Sequence, residues 1–460
     1  MESKQEKAKS IVMLPYLAHG HVSPFYELAK KLSNKGFHIY LCSTPVCLEP
    51  IRKNHFFDDH HPNKLSSSNI QLIDLQLPSS FHQELPPHYH STKNLPPHLM
   101  NTLLAAFDAS KPVFSDILLT LRPDLVIYDL FQPWAPKAAR EQNIEAVLFL
   151  TGAAAQNMKF EMSVETESYK ETMEFLIKNS VNGLTIIQRF YQSVTSSSQL
   201  ILVKTSREIQ ANYYNDGSKP SLAVFKPLLL VGPLVHRPQD HHDDDVDDDE
   251  KIMDWLSKKE PSSVVFVSFG SENYLSEEEM KEMADGLELS NVDFIWVVRF
   301  HGGSKVTSIH EALPQGFLER TNGRGLIVDW APQAKILQHS STGGFVSHCG
   351  WSSTLEAMVY GVPIIAIPMK LDQPINAKLV VDMGVGMEVP RKNKELAREE
   401  VASVIRRVVV EEEGKELRKI AKELSERLKK EEDEEFDEAM EKLVHLVHES
   451  RIHVAASKET

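Results

Sequence analysis

The chain predicts an α/β architecture of two Rossmann-like domains whose parallel sheets face each other across a cleft. Three observations lead there. Strand-like and helix-like segments alternate through the first half, the alternation restarts after residue 250, and the two halves are separated by the acidic run RPQDHHDDDVDDDE. The predicted strands are continuous apolar runs, the pattern of a parallel sheet covered on both faces. A chain of 460 residues also exceeds one ordinary core.

The elements follow in order. IVMLPY, from Ile11, reads as the first strand, and SPFYELAKKLSNKG as an amphipathic helix with Ser23 as cap, Pro24 at the first position and Gly36 at the end. FHIYLC, IQLIDL, a helical pattern from Leu99 to Leu121, DLVIYD, a helix from Pro133 and AVLFL continue the first half. The second half reads SVVFVSF, a helix from Ser276, DFIWVV, GLIVDW, GGFVSH, a helix from Ser353 that ends at Gly361 before Pro363, and PIIAIPM. Ala397 to Val410 and Glu416 to Val447 are charged amphipathic helices with one solvated face. The expected division is an N-terminal domain over 1–236, an acidic linker over 237–250, a C-terminal domain over 251–435, and a helix over 436–460 returning to the N-terminal domain.

Composition narrows the function classes. An apolar content of 42% with 25% charged residues is that of a soluble globular protein, and a net charge of −15 argues against nucleic acid or an anionic membrane as partner. The polar start MESKQEKAKS and the short run IVMLPYL, broken by Pro15, read as a first strand and not a signal peptide. No apolar segment approaches the ~20 residues that span a bilayer. Cys42, Cys47 and Cys349 suit a reducing compartment, so cytoplasmic residence is expected; a monomer is the expected state, although the sequence carries no signal for it.

The chemistry concentrates between Trp330 and Gln373, WAPQAKILQHSSTGGFVSHCGWSSTLEAMVYGVPIIAIPMKLDQ. Its GGFVSH strand ends at His348 and passes through Cys349-Gly350-Trp351-Ser352-Ser353 into a helix. A helix N-terminus carries unpaired N–H groups and partial positive charge, so a diphosphate suits it, with His348, Ser352 and Ser353 as added donors. Ser353-x-x-Glu356 is equally a capping box, which needs no ligand. Ser271, after the first strand of this half, adds a second polar strand end. Trp330, also at a strand end, is placed either to stack on a base or to fill the core. In the first half His19-Gly20-His21 follows the first strand, and Asp129 ends DLVIYD, where it could also cap the helix from Pro133.

The stretch from Trp330 to Gln373 resembles the signature box of plant family 1 UDP-dependent glycosyltransferases in length and at nearly every diagnostic position, and the N-terminal half fits as well. The resemblance implies the GT-B fold. It further implies that Trp330 stacks on uracil, the Ala331 backbone bonds the base and Gln333 lies near the ribose. His348, Ser352 and Ser353 would contact the diphosphate with Ser271 opposite, Trp351 would belong to the same UDP-sugar site, Glu356 would hold the ribose hydroxyls, and Asp372 and Gln373 the sugar hydroxyls. The final glutamine favours UDP-glucose. His21 would be the general base, Asp129 its orienting carboxylate, and Thr151, ending AVLFLT, a contact to the transferred glucose. One position departs: the family usually has Asn where this chain has Ser352. A hydroxyl keeps a donor but loses the amide's reach, so Ser352→Asn is expected to tighten donor binding.

The implied reaction is an inverting transfer without metal or cofactor, giving a β-glucoside, in which the helix N-terminus and His348 receive the diphosphate's charge. The Asp-x-Asp spacing of the acidic run resembles a metal-binding element of some sugar transferases, but no strand presents it to a pocket, and a self-repelling linker accounts for it. HQELPPHYHSTKNLPPHLM, STPVCLEPIRK and IYDLFQPWAP resemble a subgroup that adds a sugar to a terpenoid, flavonoid or lignan glycoside; a bare aglycone is the alternative acceptor. His82, His88, His90 and His98 do not share a helix face, so no metal site is expected from them. A UDP-sugar epimerase is the rival enzyme class, distinguished by an epimerised nucleotide formed without acceptor; a non-catalytic UDP-sugar-binding protein would release no UDP with any acceptor.

Overall fold

The computed structural model describes residues 9–58, 69–93, 95–152, 167–213, 226–237, 247–300, 308–392 and 394–456. Two wholly parallel sheets form the architecture. The first comprises β1 (Ser10–Leu14), β2 (His38–Ser43), β3 (Ile70–Asp74), β4 (Leu125–Tyr128) and β5 (Glu145–Leu150). After a small antiparallel hairpin, β6 (Ser180–Val181) with β7 (Leu184–Thr185), it is completed by β8 (Ile201–Val203) and β9 (Leu228–Leu230). Its order is β3-β2-β1-β4-β5-β8-β9. The second sheet contains β10 (Val264–Ser268), β11 (Asp293–Val297), β12 (Gly325–Val328), β13 (Thr342–Ser347), β14 (Ile364–Ala366) and β15 (Gly386–Glu388), in the order β12-β11-β10-β13-β14-β15. The fold class is therefore the expected α/β one of two parallel sheets.

The register explains the apolar strands. Ile11 and Met13 pack into one layer of the first domain and Val12 and Leu14 into the other, all without solvent exposure. Val264 and Phe266 against Val265 and Val267 divide in the same way about β10. β1 and β10 thus have two dry faces, which favours apolar residues at successive positions. The order reverses direction between β1 and β4 in one sheet and between β10 and β13 in the other. A crevice opens beyond the carboxyl ends of the strands at each reversal.

Several local expectations are corrected. The first helix runs His19–Asn34, with Ala18 as N-cap, so it starts ahead of Ser23 and Pro24. Pro24 is tolerated because its missing N–H forfeits one intrahelical bond and its φ is helical in any case, while Gly20, whose carbonyl loses the partner, is exposed. The pattern from Leu99 to Leu121 splits into helices Met100–Asp108 and Lys111–Leu121; Pro112 cannot donate to the carbonyl of Asp108, so the chain restarts with proline in the first turn. The helix expected from Pro133 is Ala135–Arg140. Residues 238–246 of the acidic run lie outside the described residues, but its last residues open the helix Asp247–Ser257.

One helix, Glu412–Ala456, links the domains. Ala421, Leu424 and Leu428 are buried in the core beneath β14, and Phe436, Ala439, Met440, Leu443 and Val447 in the core beneath β1. Lys31 donates to Glu432 at 2.6 Å, and Arg237 also pairs with it, so ionic contacts mark the crossing. No described helix is long and apolar enough to cross a membrane.

Candidate active site

The first crevice gathers strand ends of the N-terminal sheet. β1 runs through Tyr16 to His21 in the first turn of its helix, β4 delivers Asp129 one residue past its end, and β5 delivers Thr151 likewise. His21 Nδ1 lies 2.8 Å from Asp129 Oδ2, and Thr151 Oγ1 lies 3.2 Å from the same nitrogen. Asp129 is 1% exposed and accepts backbone N–H bonds from Tyr16 at 3.2 Å and Leu130 at 2.6 Å, so its carboxylate is fixed on both oxygens. It caps nothing: the Ala135–Arg140 helix begins at Trp134 with no side-chain cap.

A carboxylate on Nδ1 places the ring proton there and leaves the Nε2 lone pair available. Burial pulls the His21 imidazolium pKa down. Asp129, through charge and hydrogen bond, with Glu272 and Asp372 behind it, outweighs that pull and raises the pKa. The side chain stays 24% exposed, and Tyr16 and Phe131 pack edge-on at ring distances of 5.6 Å each. His19, the other candidate of the pair, is exposed.

The second crevice lies at the β10–β13 reversal. β13 leads to His348, and β10 leads through Gly270 to Ser271, which is half-buried. A side chain at Gly270 would come within 2.7 Å of the His348 ring, and one at Gly350 would collide with its Nε2, so these glycines make room for the imidazole. Burial pushes the His348 pKa down to about 4 against a backbone hydrogen bond with Ser268, and its buried Nδ1 has no hydrogen-bond partner among the described residues. The ring is neutral at pH 7.

The helix beyond it runs Trp351–Tyr360, with Gly350 as N-cap and left-handed Gly361 as C-cap. It therefore starts two residues before Ser353, and the capping box is not formed, because Ser353 already lies inside the helix. Ser353 Oγ and Glu356 Oε2 instead accept from Gln333 Nε2 at 3.1 and 2.5 Å. Ser352 Oγ accepts from Lys204 Nζ at 2.9 Å, across the domain boundary. The Trp351 indole is buried and donates to the Lys204 carbonyl at 2.7 Å, so its side chain joins the domains and only its backbone faces the helix start.

Trp330 is 60% exposed, which excludes the core reading, and the Lys93 ammonium lies 6.0 Å from its ring centroid. Ala331 is buried, and its carbonyl accepts from Gln333 N at 2.9 Å. Past β14, Gln373 Oε1 accepts from the amides of Met369 and Lys370 at 3.0 and 2.9 Å, leaving its NH2 as the group with donors to offer. Asp372 Oδ2 accepts from Asn376 at 3.1 Å, and burial raises its pKa. A Cβ on Gly152 would lie 3.7 Å from that same oxygen, so the strand end bearing Thr151 meets the Asp372 turn directly.

Two participants escaped the sequence reading. Glu272, beside Ser271, accepts from Thr92 Oγ1 at 2.5 Å, and Thr92 N donates to the Leu17 carbonyl, so the proline-rich segment bridges both crevices. His90 of that segment is buried and its Nε2 pairs with the Leu85 carbonyl at 3.1 Å, a structural commitment. Lys204, the second, follows the short apolar strand ILV; a cation directly after a buried strand was the available signal.

Residues 243–435 match the family model described as UDP-glucoronosyl and UDP-glucosyl transferase, and residues 7–236 match the glycosyltransferase N-terminal domain. The chain is 48% identical over 468 residues to a flavanone 7-O-glucoside 2''-O-beta-L-rhamnosyltransferase of Citrus maxima, covering 98% of this chain and 100% of that one. It is 42% identical over 454 residues to a beta-D-glucosyl crocetin beta-1,6-glucosyltransferase of Gardenia jasminoides, covering 95% and 99%. A crystal structure of a Glycyrrhiza uralensis UGT complexed with glycyrrhetinic acid 3-O-monoglucuronide aligns with a TM-score of 0.78 at 22% identity, over 98% of each chain, and shares the fold. With two parallel sheets, a strand-end crevice in each, and both family models matched across nearly its whole length, the chain belongs to the plant family 1 UDP-dependent glycosyltransferases of GT-B fold.

Proposed function

We propose that the protein transfers glucose from UDP-glucose to a sugar hydroxyl of a plant glycoside, with inversion and without a metal. The observation that carries this reading is the His21–Asp129–Thr151 cluster, at 2.8 and 3.2 Å, set against the Asp372 turn of the other domain. His21 Nε2 takes the proton of the acceptor hydroxyl. The acceptor oxygen bonds to the anomeric carbon from the face opposite UDP, and the bond from that carbon to the β-phosphate oxygen breaks with both electrons going to UDP. An α-linked donor thereby gives a β-glycoside. Asp129 stabilises the imidazolium that forms.

Trp330 is exposed to stack on uracil, with the Ala331 backbone bonding the base. Glu356 and Gln333, already bonded to each other, receive the ribose, and Ser353, Ser271, His348 and the backbone at Trp351 receive the diphosphate. Thr151, Asp372 and Gln373 surround the transferred sugar. The fixed Gln373 amide supports glucose, although relatives carry different sugars by name. Both named relatives act on glycosides, and the proline-rich segment lying over Glu272 supports a wall beside a sugar acceptor. Helix amides and neutral donors around the diphosphate support a metal-free departure, so activity is expected to survive EDTA.

The test incubates the protein with UDP-glucose, UDP-rhamnose and UDP-glucuronate against a panel of aglycones and their monoglucosides, with products read by mass and NMR. β-Linked diglucosides formed from monoglucosides are expected. Products from aglycones alone would overturn the glycoside acceptor, preference for another nucleotide would overturn glucose, and an epimerised nucleotide without acceptor would overturn transfer altogether.

A further inference from the structure

Lys204 stands one residue past β8, the strand beside β5, so it shares the edge from which His21, Asp129 and Thr151 project. Its backbone is tied at both ends: N donates to the Leu150 carbonyl at 2.9 Å and the carbonyl accepts from Trp351. The residue is 2% exposed, yet its ammonium meets Ser352 Oγ, a neutral acceptor, at 2.9 Å. An ammonium has three N–H donors, and a hydroxyl occupies one. A buried cation costs stability unless an anion answers it. Burial pulls its pKa down to about 8, with only the Glu356 and Glu27 charges holding it up. Such an ammonium is poorly satisfied in the free protein.

The helix start it faces, from Gly350 to Glu356, has no cation among its own residues, and Lys370, whose charge lowers the His348 pKa, gives its ammonium to the Glu272 carbonyl at 3.0 Å. Ser352 is the second residue of the Trp351–Tyr360 helix, whose first amides have no intrahelical partner. His348, the residue after β13 and packed against Gly270 and Gly350, is neutral. Helix amides and a neutral ring supply partial charge, whereas departing UDP carries full negative charge.

We propose that Lys204 is the diphosphate-binding cation of this enzyme, reaching from the N-terminal domain to Ser352 and supplying the contact that the family's asparagine supplies at that position. This rests on the UDP-sugar reading above. The C1–O bond breaks as already described, and Lys204 neutralises the charge that accumulates on the β-phosphate oxygen without transferring a proton. Because the lysine and the helix belong to different domains, the diphosphate joins them. The serine is then an adaptation: a longer amide at 352 would compete with the ammonium for the same space.

Calorimetric titration of UDP and of uridine, which lacks the phosphates, tests this on the full chain. Lys204→Met is expected to weaken UDP roughly 10- to 100-fold while uridine changes by less than about twofold. Lys204→Gln keeps a hydrogen bond to Ser352 without the charge, and is expected to lose UDP over uridine to the same degree; it decides the matter should the methionine variant not fold. UDP binding preserved in Lys204→Gln, or uridine and UDP weakened equally, overturns the assignment and leaves the lysine a domain contact. Wild-type protein that binds no UDP would instead overturn the donor reading itself.

Discussion

The two crevices are built alike and behave oppositely. Each lies where strand order reverses in a parallel sheet, and each presents a histidine shortly after a central strand: His21 past β1 and His348 past β13. His21 has a buried carboxylate on Nδ1 and its pKa is raised; His348 has no partner on Nδ1 among the described residues and burial pushes its pKa to about 4. The first ring is thus suited to hold a proton, and the second to stay neutral. The neighbour at the strand end decides the role, since fold alone supplies only position.

Removing each ring is expected to change a different parameter. His21→Ala is expected to lower kcat roughly 100- to 10,000-fold with UDP affinity nearly intact, because proton transfer belongs to the transition state. Steady-state kinetics with calorimetry checks this, and kcat within threefold of wild type would remove His21 as base. His348→Ala is expected to weaken UDP binding by roughly tenfold, the size of a hydrogen bond to a charged group, with a smaller change in the acceptor KM. Unchanged UDP affinity would remove His348 from the diphosphate site.

Asp129→Asn makes the first histidine resemble the second. His21 must be unprotonated to accept a proton, so activity falls as pH drops through its pKa, and a raised pKa sets that acid limb above the ordinary histidine value of 6.5. Without the carboxylate, desolvation is unopposed by its nearest charge and the limb is expected to move to lower pH, with kcat reduced by roughly 100-fold or more. A pH profile of kcat/KM whose limb stays in place would count against the pair. His348 contributes no limb near neutrality.

The smallest effect concerns Ser352. The bare sequence predicts that Ser352→Asn tightens UDP binding, but Lys204 already occupies the hydroxyl. Asparagine is therefore expected to change UDP affinity by less than about threefold in the wild-type background and to gain more when Lys204 is Met, the signature of coupled neighbours. Equal gains in both backgrounds would show the two residues to be independent.

Much of this was legible in residue order. Continuous apolar strands and the restart of the alternation after residue 250 already implied two covered parallel sheets, because burial on two faces leaves no room for polar residues. Helix ends were read less well: Ser23-Pro24 and Ser353-x-x-Glu356 both look like helix starts, yet both lie inside helices that begin earlier. Capping signals are local and weak, and the strand that delivers the chain fixes where the first turn closes.

Residue order alone yields the family box from Trp330 to Gln373, the His21 and Asp129 candidates and the substitution at Ser352, because local motifs specify which donors and acceptors the chain owns. Tertiary structure alone decided which of them meet. Asp129 lies 108 positions from His21 and Lys204 lies 148 positions from Ser352, and hydrogen bonds over such separations exist only after the sheets order and the domains close. Whether a histidine is a base or a neutral donor follows from those contacts, since its pKa is set by the charge beside it and the water removed from it.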